Sequence, residues 1–292
     1  MRALVGVDTS GSHLNSVKLL LRLGFSDLEI HLVHCIQSLM PDGSFPESAA
    51  GTHLADLYKP LEESGLRAIE ETAELIASHG VNCTTKIEWG QPARTLIEYA
   101  DLHHCDLIAV ACTTKGYYSS LFFGSVAKGL VTGAKQSLLI TKNEHAPSGK
   151  VDAVVATDHS PYMDRCLAWL ENAKPSGFNQ LTTLAAYDSS LVEAIVAYDP
   201  DSAAEVSLEH TTNATAQIAS KLAPLAQQTA GIVKSMPVDQ AVRKTMEETQ
   251  AELLVMGAQG HGFFERLMIG SKSFHQVVAE PHSILVIRPP LS

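Results

Sequence analysis

Val155-Ala156-Thr157-Asp158-His159-Ser160 repeats, 150 residues on, the pattern of Val5-Gly6-Val7-Asp8-Thr9-Ser10: a short apolar run ending in an acid, then a helix-starting Thr or Ser. Two further pairs say the same. Leu121-Phe122-Phe123-Gly124-Ser125 is answered by Leu267-Met268-Ile269-Gly270-Ser271, and Ser137-Leu138-Leu139-Ile140 by Ser283-Ile284-Leu285-Val286, both at an offset of 146. A register that slips by so little over half a chain marks a duplicated unit, and self-similarity of this kind decides the architecture before any local motif does. Between the copies lies Asn143-Glu144-His145-Ala146-Pro147-Ser148-Gly149-Lys150, a polar stretch with Pro and Gly that reads as a short linker. The expected domains are residues 1–146 and 150–292, each long enough for a core of its own.

Within the first copy, short apolar runs alternate with segments of helical period, the signature of βαβ units and a mainly parallel sheet. Strands are expected at residues 2–7, 28–35, 82–88, 106–112 and 137–142. Leu107-Ile108-Ala109-Val110-Ala111 lacks polar alternation, as a strand covered on both faces should. Leu14, Val17 and Leu21, then Leu66, Ile69, Ala73 and Ile76, form stripes expected to face the core. The second copy repeats the order, with strands near 152–157, 180–187, 229–235, 252–257 and 283–288. Its helices carry Ile218, Leu222 and Leu225, then Val242 and Met246. Residues 38–53, rich in Pro and Gly, read as a mobile loop, with residues 188–203 as their counterpart.

The bulk properties narrow the function classes. Apolar residues make up 45% of the 292 and charged residues 18%, a composition too apolar for disorder. No stretch approaches the roughly 18 unbroken apolar residues of a spanning helix, and no signal-peptide pattern opens the sequence, so a cytoplasmic protein without membrane partners is expected. With 21 basic against 32 acidic side chains the net charge is -11, which argues against nucleic-acid partners and leaves any anion to local geometry. Cys35, Cys83, Cys105, Cys112 and Cys166 are scattered, with no close pair, and fit reduced thiols. Cys112 reads as a small buried filler.

The chemistry concentrates after the fourth strand of the second copy, in Met256-Gly257-Ala258-Gln259-Gly260 and on to Gly270-Ser271, a G-x2-G-x9-G-S spacing. Gly257 and Gly260 fit a turn in which a ligand lies against bare main chain. Gly270-Ser271 opens the last helix, where free N–H groups and the helix dipole favour an anion, and Lys272 follows. Asp158 closes the first strand at the same sheet edge, within reach of a purine amine or ribose hydroxyl.

These residues resemble the universal stress protein family, specifically its tandem members, over nearly the whole chain. The resemblance implies two doubly wound, five-stranded α/β domains of the adenine nucleotide alpha hydrolase-like type, with strand order 3-2-1-4-5. It implies an ATP site made by Asp158, main chain near Tyr187, Met256, Gly257, Gly260, Gly270, Ser271 and Lys272, with Mg²⁺ as a possible companion of the phosphates. It further implies pairing of the domains through their last strands as an intramolecular pseudo-dimer, a homodimer as a further step, and a nucleotide-dependent sensor acting on a protein partner the sequence does not identify. The first copy departs from the pattern: aligned on Gly124 and Ser125, it has Ala111 and Thr114 where the second has Gly257 and Gly260, although Gly116 matches Gly262. A β-branched Thr is strained wherever positive φ is needed and fills space a phosphate would use, so the first copy is expected to bind nucleotide weakly or not at all.

Catalysis finds little support. No Walker A sequence, nucleophile elbow or Ser-His-Asp pattern occurs, and no metal or catalytic residue is assigned. His103-His104-Cys105-Asp106 holds metal-ligand types, but neighbours at a helix end point apart. Two rivals to a binding sensor stay open on sequence grounds: slow ATP hydrolysis or adenylyl transfer at the same site, and a nucleotide-independent scaffold.

Overall fold

A computed structural model describes residues 1–37, 53–112, 124–142, 144–187, 197–198, 207–259, 276 and 280–290, with side chains from residue 58 onward in the second of these segments. The first copy runs β1 (Arg2–Val7), α1 (His13–Leu23), β2 (Glu29–Ile36), α2 (His53–Ser78), β3 (Asn82–Trp89), α3 (Pro92–Leu102), β4 (Leu107–Ala111), α4 (Ser125–Gly133) and β5 (Ser137–Thr141). The second runs β6 (Val151–Thr157), α5 (Pro161–Ala173), β7 (Phe178–Ala186), α6 (Leu208–Lys221), β8 (Ala226–Lys234), α7 (Val238–Thr249), β9 (Leu253–Gly257) and β10 (Ser283–Ile287), with a 3-10 turn at Ala223–Leu225. Residues 38–52, the greater part of the expected mobile loop, lie outside the described residues.

The ten strands among the described residues form one sheet in the order β3-β2-β1-β4-β5-β10-β9-β6-β7-β8. Each copy therefore shows the order 3-2-1-4-5, and the two meet edge to edge. Among the described residues the single antiparallel pairing is the junction, Ile284 opposite Ile140, Leu285 opposite Leu139 and Val286 opposite Leu138. Pairing these two strands removes what would otherwise be an exposed apolar edge in each copy.

The strands alternate their side chains between two apolar layers. On one face Val17, Leu20 and Leu23 of α1 and Ile69 and Ile76 of α2 join Met163, Leu167 and Leu170 of α5. On the other, Leu96 of α3 and Leu130 of α4 join Val242 and Met246 of α7. Each fully buried side chain of this size contributes roughly 1.5–3 kcal/mol. The expected α2 stripe needs correction at Leu66, which is 47% exposed. The buried row is Gly65, Ile69, Thr72 and Ile76, spaced i, i+4, i+7, i+11, as a helix lying on a sheet requires. Gly65 faces inward because the His34 imidazole covers it: a Cβ there would stand 2.3 Å from His34 Cδ2.

At the junction the copies approach closely enough to dictate sequence. Gly177 N donates to Leu23 O at 3.1 Å and Ser26 N to Ala173 O at 3.1 Å. A Cβ on Gly177 would lie 1.7 Å from Arg22 O, so no other residue fits without moving backbone.

Candidate functional site

Beyond Val155 and Val255 the β6–β9 ladder stops. Past that point β6 stays paired with β7 to Thr157, and β9 with β10 to Gly257. The two inner strands thus part at their carboxyl ends, at the switch point where sheets of this order receive ligands. Asp158 directly after β6, Tyr187 directly after β7, and Met256 and Gly257 closing β9 stand on this rim. Tyr187 N donates to Lys234 O at 2.8 Å, so its amide is committed to the ladder. Gly260, Gly270, Ser271 and Lys272 lie outside the described residues, as do Thr114 and Gly116 of the first copy. The first copy opens the same way, its β1–β4 ladder ending at Val5 and Ala109 with Asp8 and Ala111 beyond.

The acids that end β1 and β6 are held differently. Asp8 Oδ1 accepts from Ser10 N at 2.8 Å, from Ser12 N at 3.3 Å and from Ser10 Oγ, while Oδ2 accepts from Ser12 Oγ at 2.6 Å and His13 N at 3.0 Å. Burial alone would raise the Asp8 pKa, but the bonds from His13, Ser10 and Ser12 outweigh it and hold the carboxyl far below the usual carboxylate range. Around Asp158 the serine has a different task. Ser160 N donates to Asp158 Oδ1 at 3.0 Å, and Ser160 Oγ accepts from Met163 N at 3.2 Å as the N-cap of α5.

Each copy ties this turn to its central helix through a histidine that sequence reading passed over. His13 Nε2 lies 2.8 Å from Thr72 Oγ1, and His159 Nε2 lies 3.1 Å from Thr215 Oγ1. Both hydroxyls give their own hydrogen to a carbonyl four residues back, Ala68 O at 2.6 Å and Thr211 O at 2.7 Å. Each imidazole must therefore donate from Nε2. The two histidines are not at matching sequence positions, which hides the shared link from a repeat alignment. Buried threonines within otherwise apolar helix stripes were the available signal.

Gly257 has a packing reason of its own. A Cβ there would meet Tyr162 Cε1 at 3.1 Å and Cys166 Sγ at 3.2 Å. At the 150-residue offset the first copy has Ser12 and Ser16, small enough to accompany Ala111, and Ser16 Oγ bonds Thr141 Oγ1 at 2.7 Å. The glycine-to-alanine difference between the copies therefore follows the helix packed behind the strand.

All five cysteines are unbridged, and Cys112 is buried. Burial pushes the Cys35 and Cys166 thiols up to about 12 and Cys105 to about 11, away from thiolate chemistry. Among the described residues no group of three or more His, Cys, Asp or Glu could hold a metal ion. In the His103 to Asp106 segment, His103 stacks on Tyr99 with ring centroids 4.1 Å apart, and Asp106 Oδ2 accepts from Arg2 N at 2.8 Å. No described helix is long and apolar enough to cross a membrane.

Fold and rim together define a tandem α/β protein whose two copies each part their inner strands at the strand-order switch. The chain belongs to the universal stress protein family, whose model matches residues 1–142 and 152–288. It is 26% identical over 304 aligned positions to a universal stress protein of Mycolicibacterium smegmatis, covering 98% of this chain and 96% of that one. Its fold is similar to the crystal structure of a universal stress protein from Archaeoglobus fulgidus, with TM-score 0.69, 18% identity, and 99% and 98% of the two chains covered. A universal stress protein of Arabidopsis thaliana, solved with AMP bound, is 19% identical with TM-score 0.33, covering 48% of this chain and 90% of its own.

Proposed function

We propose that the chain works as two domains, 1–146 and 150–292, and that the second binds ATP as a nucleotide-dependent sensor in a cytoplasmic stress response. The observation that carries the reading is the parting of β6 and β9 beyond Val155 and Val255, with Asp158 on one lip and Met256-Gly257 on the other. In this reading Asp158 takes the ribose or base, main chain at Tyr187 borders the adenine, and Gly260, Gly270, Ser271 and Lys272 receive the phosphates. The first domain binds weakly or not at all. Its Asp8 carboxylate is closed in by five hydrogen bonds from its own turn, which a ligand would have to displace.

A sensor also needs the nucleotide to bind one state of the protein more tightly than another, since equal affinity shifts nothing. Equilibrium dialysis with ATP tests the site count. The expected result is one tight site per chain, lost in Gly260→Thr with an unchanged melting profile. Asp158→Ala should weaken binding by about ten- to a hundredfold, the worth of one hydrogen bond to a charged group. Two equal tight sites, or full affinity in correctly folded Gly260→Thr, would overturn the reading.

A further inference from the structure

At the amino ends of the strands the copies meet along two grooves that the internal repeat relates to each other. The relation is visible in the bonds: Lys142 N donates to Ser283 Oγ at 3.1 Å, and Arg288 N to Ser137 Oγ at 3.1 Å. The residues leading into β4 and β9 share a left-handed turn, His104 at φ 51° and Gln250 at φ 53°.

One groove is filled. Arg22 of α1 donates from Nη1 to Glu252 Oε2 at 2.7 Å and from Nη2 to Glu252 Oε1, and it reaches the carbonyls of Gly149 at 3.0 Å and Lys150 at 2.8 Å. His145 of the connecting segment closes the gap, 2.8 Å from Glu252 Oε2 and 2.8 Å from Ser283 Oγ.

The other groove has the same walls and a different content. At the repeat offsets Asn172 replaces Arg22, Asp106 replaces Glu252, Trp169 replaces Leu19 and Arg165 replaces Asn15. Among the described residues the long Arg–Glu pair is shortened to Asn and Asp, and a cavity of about 750 Å³ remains that Asp106, Arg165, Trp169 and Asn172 all line. Its charges are unequally matched. Asp101 is held by Lys135 at 2.9 Å and Gln136 at 2.7 Å, and Asp106 accepts from the Arg2 amide. The Arg165 guanidinium lies 5.3 Å from the Tyr162 ring centroid, and no carboxylate pairs with it among the described residues. Trp169, one helical turn on, leans edge-on against Phe25 of the first copy with centroids 6.4 Å apart.

We infer that this groove is a second ligand site, separate from the nucleotide crevice, for a small planar aromatic anion: Trp169 offers the apolar platform and Arg165 the counter-charge. Arg288 also lines the cavity, but its guanidinium is spent on the carbonyls of Ala134 and Val131; Trp169 with the Arg165 guanidinium beside it suits such a ligand better than a cation or a neutral apolar molecule.

Trp89 and Trp169 are the two tryptophans of the chain, so Trp89→Phe leaves the groove residue as the only indole reporter. Titrated with 8-anilinonaphthalene-1-sulfonate, this variant should show saturable quenching of Trp169 at one site per chain, unchanged by saturating ATP. Arg165→Glu, on an exposed side chain, should weaken binding at least tenfold. Asn172→Arg, which restores the residue that fills the other groove, should abolish it at an unchanged melting temperature. Should that variant fail to fold, Trp169→Leu, read by probe emission, replaces it and should also abolish binding. Unsaturable quenching, displacement by ATP, indifference to these substitutions, or occlusion of Trp169 by self-association into a dimer would each overturn the assignment. ATP binding that persists without a groove site would leave the nucleotide reading intact, so the two proposals fail separately.

Discussion

At Asp8 the decisive quantity is how many donors one carboxylate gathers. The turn from Ser10 to His13 supplies five, and against the cost of burial the side-chain bonds from His13, Ser10 and Ser12 prevail. A carboxyl whose folded pKa lies below its unfolded value stabilises the protein fully above the unfolded value of about 3.9, and that stabilisation is lost as pH falls toward the folded value. Asp8→Asn should therefore be less stable than the parent by a constant margin above about pH 5, with the margin shrinking below about pH 4. Urea denaturation across pH 2–7 reads this directly, and a margin independent of pH would show that the web is not electrostatic. Gly257 makes the opposite kind of claim, about space. Gly257→Ala places a methyl 3.1 Å from Tyr162 and 3.2 Å from Cys166. The expected cost is about 1–3 kcal/mol of overpacking, measurable by the same denaturation even without nucleotide. A neutral outcome would return the glycine to a purely ligand-facing role.

The element that best separates propensity from packing is α2. Replacing a helix-interior Gly by Ala ordinarily gains about 1 kcal/mol, so on propensity Gly65→Ala should stabilise. Contact with His34 decides otherwise, because that imidazole is buried and held by Nδ1 donating to Val7 O at 2.8 Å. Overpacking costs about 1–3 kcal/mol, and the net change should be destabilising. In a double-mutant cycle with His34→Ala the substitution should turn neutral or favourable, and additivity would refute the packing account. The same helix shows what a sequence can tell its reader. Strands such as β4 and β9 are legible because burial on both faces leaves unbroken apolar runs, and the repeat reveals the tandem order. On the α2 stripe, Leu66 misleads because apolarity is only a proxy for facing inward, and the true row uses Gly65 and Thr72 to receive two histidines. The start of β8 was missed for a related reason: Ala226-Gln227-Gln228 belongs to an edge strand, half exposed and polar. At the candidate site, Asp158 and Gly257 could be placed on one rim from the repeat and the glycine spacing, and Tyr187 only through the family resemblance. The histidine–threonine links could not, since they join residues 59 and 56 positions apart.

For the whole molecule the question is whether two tandem copies unfold as one. Both apolar layers draw on both halves: Val17 and Leu20 cluster with Leu167 and Leu170, and Leu130 and Leu138 with Leu254 and Ile284. One continuous sheet crosses the junction, and Arg22 and His145, buried to 6% and 2% side-chain exposure, converge on Glu252. Burial alone would raise the Glu252 pKa, but hydrogen bonds from His145 and Arg22 bring it down to about 2. Against an unfolded value of about 4.3, this corresponds to about 3 kcal/mol at neutral pH, present above pH 4.3 and lost as pH falls toward 2. Glu252→Gln should therefore lower the melting temperature by roughly 6 °C at pH 7, at about 2 °C per kcal/mol for a chain of this size, and by about half as much at pH 3. The form of the transition matters more than its position. Since neither half can leave without exposing the β5–β10 seam and part of each layer, calorimetry should show one endotherm for the parent and one, displaced, for the variant. Two resolved endotherms in the parent would mean that the copies are joined but not cooperative. The filled groove would then be a tether between independent domains, and its Arg–Glu–His cluster would stabilise only the junction.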